Sequence, residues 1–530
     1  MANKLRSNHR QIIIYDTTLR DGSQTEGVSF TVNDKLKITE KLDQFGVHYI
    51  EGGWPGSNPK DKDYFKDVQS LKLKNAKIAA FGSTRRVKIK ASEDVNLVEL
   101  VKSKAPTITI FGKCWDLHVT DVIRTTLAEN LEMIADSVGY LKKNKREVFF
   151  DAEHFFDGYR NNPDYALKAI QAAEQAGADC IVLCDTNGGT LPSQVRSIIE
   201  EVKKHVKAPL GIHAHNDIDM GVANSIAAIE AGCNHVQGTF NGLGERCGNA
   251  NLCTIIGILA TKLNLKSIPE RNLENMKQVA YYVSEISNSA LKDNAAFVGH
   301  SAFTHKAGVH IDAVIKNPLA YEHSDPVFVG NHRRFIASEL AGKMPILIKA
   351  QKMNVDLDKK SPEAKKILEE LQVKENNGYQ FEAADASFEL FVKRSLQKYP
   401  PFFKLEGFKV SSEKRFDGKI FAEASVRLKV KSEELFCAAE GDGPVDSLDK
   451  ALRQALTKFY PRLKEMHLSD YKVRVLDTKD GTAAKVRVLI ESQDETDTWT
   501  TVGVHENIIE ASWEALTDSI EYKLLKDKKK

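Results

Sequence analysis

The first half of the sequence alternates short apolar segments with amphipathic ones, and this alternation constrains the fold more than any other feature. Eight apolar segments have the length and residue types of buried strands. They are Gln11–Tyr15, Val47–Gly52, Lys77–Phe81, Thr107–Phe111, Glu147–Ala152, Asp179–Leu183, Leu210–His213 and His235–Gly238. Helix-like stretches separate them, among them Thr31–Phe45, Ala128–Lys143 and Pro163–Gln175. Eight strand–helix units predict an α/β fold, a closed (β/α)8 TIM barrel over residues 1–290.

A doubly wound open sheet is the alternative arrangement of the same units. Such sheets bind nucleotides through a Gly-x-Gly-x-x-Gly turn after the first strand, and related folds use a Gly-Lys-Ser/Thr phosphate loop. No such turn follows the first predicted strand, and the phosphate-loop motif is absent from the sequence. The closed barrel is therefore the preferred prediction.

The remainder of the chain changes its pattern twice. Residues 291–400 are predicted to form a mainly helical linker domain, with helices at Arg334–Ala341, Pro362–Leu371 and Glu382–Leu396. From about residue 402, apolar and polar residues alternate as they do in strands. Strands at 402–410, 421–430 and 434–440 with a helix at 446–459 are followed, in the same order, by strands at 469–477, 484–492 and 498–504 with a helix at 507–520. This predicts an α+β domain over residues 401–530, built from one βββα-like unit used twice.

Composition argues against several classes of function. The chain has 530 residues, 42% hydrophobic and 28% charged, as expected of a soluble globular protein. Its 75 basic and 73 acidic residues give a net charge of +2, which offers no electrostatic basis for binding nucleic acid or an anionic membrane. We find neither a membrane-spanning apolar run nor a signal peptide. Seven cysteines without paired spacing predict reduced thiols and a cytoplasmic location.

Chemistry in a parallel barrel belongs at the carboxyl ends of its strands, and polar residues follow six of the predicted strands there. These segments are Asp16–Gln24, Glu51–Asn58, Asp151–His154, Cys184–Gly188, His213–Asp217 and Gly238–Asn249. A barrel with a purely structural role has no reason to collect acids, histidines and amides at these ends. We therefore expect an active site at this face of the barrel.

Central among these features is the stretch Gly211–Asp217, which reads Gly-Ile-His-Ala-His-Asn-Asp. Residues two apart on a strand share a face, so His213 and His215 point the same way. With Asp21 they supply two imidazoles and one carboxylate, which suit Mn, Fe(II) or Zn, and Mg if water fills the shell. Asn249 could complete the shell directly or through water. The alternative is a pair of packed histidines without an ion.

Arg20 immediately precedes the candidate ligand Asp21. A guanidinium beside a metal ion can stabilise the negative charge that develops on a polarised carbonyl oxygen. Arg20 can also brace the barrel mouth by pairing with a carboxylate, either Asp16 or Glu51. The two roles can coexist.

Further candidates lie on the fifth and sixth strands and beyond the barrel. Asp151 and Glu153 should both face inward, where Asp151 is a candidate for substrate binding. Glu153 could orient a base or a water molecule, or pair with an inward Arg or Lys. Thr186 can donate a hydrogen bond to a bound carboxylate or cap the next helix.

His310 and Asp312 form a possible general base oriented by an acid, although the sequence does not place them at the barrel mouth.

Three motifs, in order, carry a resemblance to a known family. They read Asp-Thr-Thr-Leu-Arg-Asp-Gly-Ser-Gln at 16–24, His-Ala-His-Asn-Asp at 213–217 and Gly-Glu-Arg-Cys-Gly-Asn at 244–249. Together they resemble the isopropylmalate synthase–homocitrate synthase–citramalate synthase family, part of a wider metal-dependent barrel group that includes hydroxymethylglutaryl-CoA lyase. The resemblance covers nearly the whole chain, because the C-terminal repeat is similar to that family's allosteric domain, which senses leucine or isoleucine.

The resemblance implies roles for individual residues. The metal ligands correspond to Asp21, His213, His215 and Asn249, with Mn or Mg as the expected ion and Zn as an alternative. The catalytic residues correspond to Arg20, Glu153, His310, Asp312 and Tyr321. Thr186 corresponds to an active-site residue on the sixth strand, which we expect to bind substrate together with Arg20. In this family the linker of one subunit reaches the partner's active site, so a homodimer or higher oligomer is expected.

Three stretches, at 51–60, 153–159 and 294–310, are most similar to the branch of the family that uses pyruvate. The resemblance then implies condensation of pyruvate with acetyl-CoA, followed by thioester hydrolysis, to give a product for isoleucine synthesis. Feedback inhibition by isoleucine is expected, with Gly441–Val445 and Gly503–Asn507 as candidate pocket stretches. One alternative is 2-oxoisovalerate as the acceptor, as in isopropylmalate synthases. Another, from a different reaction class, is an acyl-CoA lyase.

Overall fold

Eight parallel strands close into a barrel at the N-terminal end of the chain. The structure is a computed structural model, which describes residues 10–336, 362–381, 384–396, 399–414, 416–476, 484–495 and 497–528. The barrel strands are β1 (Ile13–Asp16), β2 (Tyr49–Gly53), β3 (Lys77–Ser83), β4 (Thr107–Lys113), β5 (Glu147–Glu153), β6 (Cys180–Asp185), β7 (Leu210–Ala214) and β8 (His235–Gly238). Each strand pairs with the next, and β8 pairs with β1 to close the ring. The predicted TIM barrel is confirmed, and each strand lies within a few residues of its predicted position.

Helices fill the segments between the strands and cover the barrel. They are α1 (Val32–Phe45), α2 (Pro59–Asp67), α3 (Val95–Lys102), α4 (Leu127–Lys143), α5 (Phe155–Asn161), α6 (Pro163–Gln175), α7 (Pro192–Val202), α8 (Gly221–Ala231), α9 (Leu252–Ile258), α10 (Glu270–Leu273) and α11 (Met276–Ser287). Local sequence sets their ends. Thr31 and Asp34 form a capping box at the start of α1, and Gly46 ends the helix at a φ of 99°, a conformation that favours glycine.

The apolar core lies between the strands and the helices, whereas the barrel interior is partly polar. Tyr15, Phe149 and Val182 are buried within the interior. Glu51 and Gln237 are fully buried, and they bond to other polar groups close to the barrel mouth. Burying polar groups is costly unless they are hydrogen-bonded, so this layer needs a dense network of partners.

A buried ion pair fixes the loop between β2 and α2. Lys35 and Asp61 are 3% and 6% exposed, and they approach to 2.5 Å. Asp61 also accepts a hydrogen bond from the backbone N–H of Trp54 at 2.8 Å. The Trp54 ring then packs edge-on against Phe81 and Phe111, at 5.7 and 5.8 Å between centroids. The pair thus holds an aromatic group at the mouth of the barrel.

The chain divides into two compact units, one formed by the segment up to Phe303 with His323–Arg333 and the other by Thr304–Glu322 with Arg334–Lys530. The second unit begins with a short parallel pair, β9 (Thr304–His305) and β10 (Arg334–Phe335), and with helix α12 (Gly308–Lys316). Helices α13 (Pro362–Asn376) and α14 (Asp385–Ser395) follow. The helix predicted at Arg334–Ala341 is wrong at its start, because Arg334 and Phe335 pair with Thr304 and His305 as strands. Its positions 337–341 lie outside the described residues.

The C-terminal part contains the same βββα unit twice, as predicted. Strands β11 (Lys404–Lys414), β12 (Ile420–Val430) and β13 (Glu433–Gly441) form one antiparallel sheet with helix α15 (Pro444–Thr457). Strands β14 (His467–Val475), β15 (Val486–Gln493) and β16 (Thr498–His505) form another with helix α16 (Ile508–Lys528). The domain boundaries at 290 and 400 stay a prediction. Within the part of the chain that the structure covers, no helix is both long and apolar enough to cross a membrane.

Candidate metal centre and active site

Three predicted ligands meet at the carboxyl ends of β1 and β7. His213 Nε2 lies 3.3 Å and His215 Nε2 lies 3.7 Å from Oδ2 of Asp21. The ligand atoms of the three residues all lie within 4.8 Å of one another, a spacing that could hold one metal ion. Their exposed fractions are 3%, 5% and 8% for Asp21, His213 and His215. The strand order of the barrel brings the three residues together, because only β8 lies between β1 and β7.

Asn249, the fourth predicted ligand, lies beside His215, with which it forms an isolated antiparallel bridge. Its Nδ2 donates to the carbonyl oxygen of Leu243 at 3.1 Å. Its Oδ1 is buried and has no hydrogen-bond partner among the residues that the structure describes. A Cβ on Gly244 would lie 2.3 Å from Asn249 Nδ2, so glycine permits this approach. A buried carbonyl oxygen without a partner fits a cation ligand.

The electrostatics of the group favour a cation. Burial alone would raise the pKa of Asp21, but Arg20 and the two histidines hold it well below its ordinary value. Burial would lower the pKa of His213, but the Asp21 carboxylate raises it. Burial dominates at His215 and lowers its pKa. Asp21 is thus a fixed negative charge between two imidazoles, the arrangement expected of a divalent-metal site.

Arg20 is held by two carboxylates and an aromatic ring. Its Nε donates to Glu51 at 2.6 Å, its Nη1 lies 3.4 Å from Asp21, and its guanidinium carbon lies 3.7 Å from the Phe81 ring centroid. Burial would lower the pKa of Arg20, but Glu51 and Asp21 raise it. The bracing pair is formed with Glu51, whereas Asp16 bonds to the following turn through Thr18.

Glu153 and Thr186 lie at the ends of β5 and β6. Glu153 pairs with Lys113 on β4, which is one of its two predicted roles. The Thr186 hydroxyl oxygen accepts the backbone N–H of His154 at 2.9 Å. This contact leaves the hydroxyl hydrogen of Thr186 available to a bound acceptor.

Gln237 on β8 is a candidate residue that sequence reasoning missed. Its Nε2 donates to Oδ1 of Asp151 at 3.0 Å, and its Oε1 lies 2.9 Å from Nδ1 of His213. Burial, and then Glu51, raise the pKa of Asp151 to about 7. The available signal was a glutamine at an inward-facing position of a short buried strand.

Tyr15 and Arg246 were missed as well. The Tyr15 hydroxyl donates to Glu51 Oε1 at 2.8 Å, and it supports the carboxylate that holds Arg20. Arg246 follows β8, donates to both Asp217 oxygens at 2.7 and 2.9 Å, and places Nη2 2.6 Å from Nδ1 of His215. For Arg246 the available signal was its position within the 244–249 motif, three residues before Asn249.

The linker candidates lie in the second unit. The His310 and Tyr321 rings stack with their centroids 4.2 Å apart. Asp312 pairs with Lys316 on the same helix at 2.6 Å. Residues two apart on a helix do not face each other, so the helix does not by itself direct the Asp312 carboxylate towards His310.

Comparison with known proteins agrees with this fold. Residues 11–283, slightly more than half of the chain, match the HMGL-like family. Residues 297–377 match the homocitrate synthase post-HMGL domain-like family, and residues 382–524 match the LeuA allosteric (dimerisation) domain. The fold and the site thus define an HMGL-like barrel enzyme with a C-terminal LeuA-type domain.

Relatives of nearly the same length show which family within this class the chain belongs to. The (R)-citramalate synthase of Geobacter sulfurreducens is 55% identical over 97% of this chain and 97% of its own. The (R)-citramalate synthase of Aquifex aeolicus is 54% identical over 98% of both chains. The 2-isopropylmalate synthase of Methanocaldococcus jannaschii is 32% identical over 98% of this chain and 96% of its own. The chain belongs to the (R)-citramalate synthase family, and it is an acyltransferase.

The proposed ligand set predicts the effect of removing single ligands. Asp21→Asn and His215→Gln should each weaken Mn²⁺ binding by more than about 100-fold, since removal of an outer-shell partner already costs about 10–100-fold. Titration calorimetry of the full chain measures this, with one ion per wild-type chain expected. Asp185→Asn is the matched control, because Asp185 is buried at the same face but bonds to Thr190 and Asn224. Unchanged affinity in Asp21→Asn would remove Asp21 from the ligand set.

Proposed function

We propose that this protein is an (R)-citramalate synthase, which condenses acetyl-CoA with pyruvate and hydrolyses the thioester to give citramalate and CoA. One observation carries the proposal: a buried Asp21, His213 and His215 group with Arg20 beside it, in a chain 55% identical to a citramalate synthase over nearly its full length. Each of these side chains has a use in adding a carbanion to a keto acid.

A divalent ion fits the residues present. Asp21, His213 and His215 would hold it, with Asn249 Oδ1 as a fourth ligand, and Mn or Mg is the proposed ion. When bound, the ion would act as a Lewis acid towards the carboxylate and keto oxygen of pyruvate. Nε2 of His215 is a ligand only if the ring proton is on Nδ1, so Arg246 must then turn away towards Asp217, to which it already donates.

Arg20 would stabilise the charge that develops on the keto oxygen. A guanidinium is a permanent donor, and Glu51 and Phe81 hold this one in place before substrate arrives. Thr186, whose oxygen is already occupied by the His154 N–H, would donate its hydroxyl hydrogen to the pyruvate carboxylate. Both groups therefore position pyruvate with no cost of reorganisation during the reaction.

Proton transfers complete the reaction. A base takes one methyl proton from acetyl-CoA, the resulting carbanion forms a bond to the keto carbon of pyruvate, and the keto oxygen gains a proton. Water then cleaves the carbon–sulfur bond, which releases a carboxylate and the CoA thiol. We propose His310, with Asp312 and Tyr321, as the groups that handle the methyl proton, and Glu153 as the group that orients the base or the water.

The aromatic groups beside Arg20 favour a small acceptor. Phe81 and Phe111 stack with centroids 5.5 Å apart, and Trp54 closes against both rings. Phe81 also contacts the Arg20 guanidinium, and we propose that this group of rings limits the space for the side chain of the keto acid, so that 2-oxoisovalerate fits less well than pyruvate. A hydrophobic pocket discriminates a methylene group by only about 10–200-fold, so the preference is a matter of degree.

The acceptor preference can be measured directly. A CoA-release assay should give the highest kcat/KM with pyruvate, less with 2-oxobutyrate and least with 2-oxoisovalerate, and a chelator should abolish all three rates. Phe111→Ala should narrow the difference in kcat/KM between pyruvate and 2-oxoisovalerate, because it removes the ring that stacks on Phe81, the aromatic partner of Arg20. A preference for 2-oxoisovalerate would identify a 2-isopropylmalate synthase instead. Cleavage of a carbon–carbon bond in a 3-hydroxyacyl-CoA, which yields acetyl-CoA and releases no CoA thiol, would identify a lyase.

The proposed roles of Arg20 and the linker residues predict different kinetic effects. Arg20→Ala should abolish turnover. Arg20→Lys keeps the charge opposite Glu51 and should still lose about 100-fold or more in kcat, because the planar donor fork is lost. His310→Ala and Asp312→Asn should lower kcat by about 10²–10⁴ while the KM for pyruvate stays within about threefold. A rise in KM alone would instead indicate pyruvate binding by His310 or Asp312.

We propose that residues 401–530 form a regulatory domain that binds isoleucine and contributes to a homodimer, after a barrel over 1–290 and a linker over 291–400. The match of residues 382–524 to the LeuA allosteric (dimerisation) domain supports this. The stretches Gly441–Val445 and Gly503–Asn507 occupy equivalent places in the two repeats, where the third strand of each turns into its helix.

Isoleucine should lower the initial rate of CoA release, and leucine and valine at the same concentration should have smaller effects. Sedimentation velocity of the full chain should show at least a dimer. Rates that do not change at saturating isoleucine would remove the regulatory proposal and leave the catalytic one intact.

A further inference from the structure

Beneath the metal ligands, one hydrogen-bonded chain runs through the barrel interior from β7 through β8 to β5. His213 and Gln237 are register partners on adjacent parallel strands, and Nδ1 of the histidine lies 2.9 Å from Oε1 of the glutamine. The amide nitrogen of Gln237 donates to Oδ1 of Asp151 at 3.0 Å. The three residues are 5%, 0% and 4% exposed in that order, so solvent has almost no access to these contacts.

The Gln237 amide has a donor group at one end and an acceptor oxygen at the other, and this fixes which partner donates in each hydrogen bond of the chain. Asp151 offers acceptor oxygens, so the NH2 group of Gln237 turns towards it, and the amide oxygen must then face His213. An amide oxygen only accepts hydrogen bonds, so Nδ1 of His213 must carry the ring proton. The other ring nitrogen, Nε2, then presents its lone pair on the side of Asp21, 3.3 Å away.

Rotating the Gln237 amide so that its oxygen and NH2 group exchange places would make both of its contacts, to Asp151 and to His213, unfavourable. Its oxygen would face the Asp151 oxygen, and its NH2 group would face a ring nitrogen that could accept only if the proton moved to Nε2. That tautomer has no lone pair for an ion at Nε2. Because buried polar groups without partners are costly, the observed orientation is strongly preferred.

We infer that Gln237 and Asp151 are positioning residues that fix His213 in the tautomer able to bind a metal ion. Asp151 orients the glutamine, and the glutamine orients the histidine. This assigns Asp151 a role through Gln237 and His213, in place of direct contact with substrate. The inference rests on the metal-site part of the proposed function and not on the identity of the keto acid.

His215 provides an internal contrast. Its Nδ1 lies 2.6 Å from Arg246 Nη2, and a guanidinium can only donate. Arg246 also pairs with Asp217 near the surface, with 40% of its side chain exposed. The two histidines are therefore held differently, His213 by a buried acceptor and His215 by a donor that can move.

Metal binding and ring protonation of the full-length protein test the inference without measuring turnover. Gln237→Met removes the acceptor at similar volume and should weaken Mn²⁺ binding about 10–100-fold, the range found for outer-shell partners of metal-bound histidines. Asp151→Asn can still accept from the Gln237 amide and should stay within about threefold of wild type. Asp151→Leu frees the amide to rotate and should approach the loss seen in Gln237→Met.

The matched control is Asn224→Leu, which also removes a fully buried amide that donates to an aspartate, in this case Asp185 at 3.1 Å. It should lower thermal stability as Gln237→Met does and leave Mn²⁺ affinity unchanged. In Zn²⁺-loaded protein with ¹⁵N-labelled histidine, one slowly exchanging Nδ1–H signal should be present in wild type and Asn224→Leu. That signal should disappear or exchange rapidly in Gln237→Met.

Two results would overturn the inference: a folded Gln237→Met variant with Mn²⁺ affinity within twofold of wild type, or an equal loss of affinity in Asn224→Leu. A chain that binds metal in a Gln237-dependent way but does not form citramalate would leave the inference standing and remove the proposed function. The two failures are therefore distinguishable.

Discussion

The pairing of Arg20 with Glu51 and Asp21 is the interaction on which the active face depends. All three side chains lie in or near the barrel interior, where an unpaired charge would be very costly. Glu51 is fully buried, and the guanidinium donates to it at 2.6 Å. Because one carboxylate holds Arg20 in place, the other can face the histidines. A single cationic group therefore compensates both buried carboxylates, and under the proposed function it is the group that would stabilise a developing oxyanion.

The barrel topology places this pairing beside the two histidines and so forms the candidate metal centre. Asp21 follows β1, and the two histidines belong to β7 and its end, which are nearly 200 residues away in sequence. Closure of the barrel places β8 between those strands and brings Asn249 alongside His215. The candidate ligands are thus collected by strand order: His213 lies on β7, His215 forms a bridge with Asn249, and Asp21 lies in the turn after β1.

A layer of hydrogen-bonded polar side chains inside the barrel supports Arg20 and the candidate ligands. Tyr15 supports Glu51, and Gln237 links Asp151 to His213. A barrel interior usually contains branched apolar residues, which pack without needing partners. Here polar side chains replace part of that packing, and their hydrogen bonds set the orientation of the groups that would meet substrate. The orientation of His213 therefore depends on Gln237 and Asp151, two residues that we do not expect to touch the substrate.

The sequence by itself determined the barrel, the repeated βββα units and the identity of the candidate ligands. Periodicity and strand-end polarity depend on local order along the chain, so Asp21, His213 and His215 could be chosen before the fold was known. The sequence pattern also predicted a helix at Arg334–Ala341. That prediction was wrong at its start, because Arg334 and Phe335 pair with Thr304 and His305 as strands. Only the tertiary structure decided that Arg20 pairs with Glu51 rather than Asp16, and that Gln237 contacts His213. Those choices depend on which side chains share the barrel interior, and distance along the sequence does not encode that.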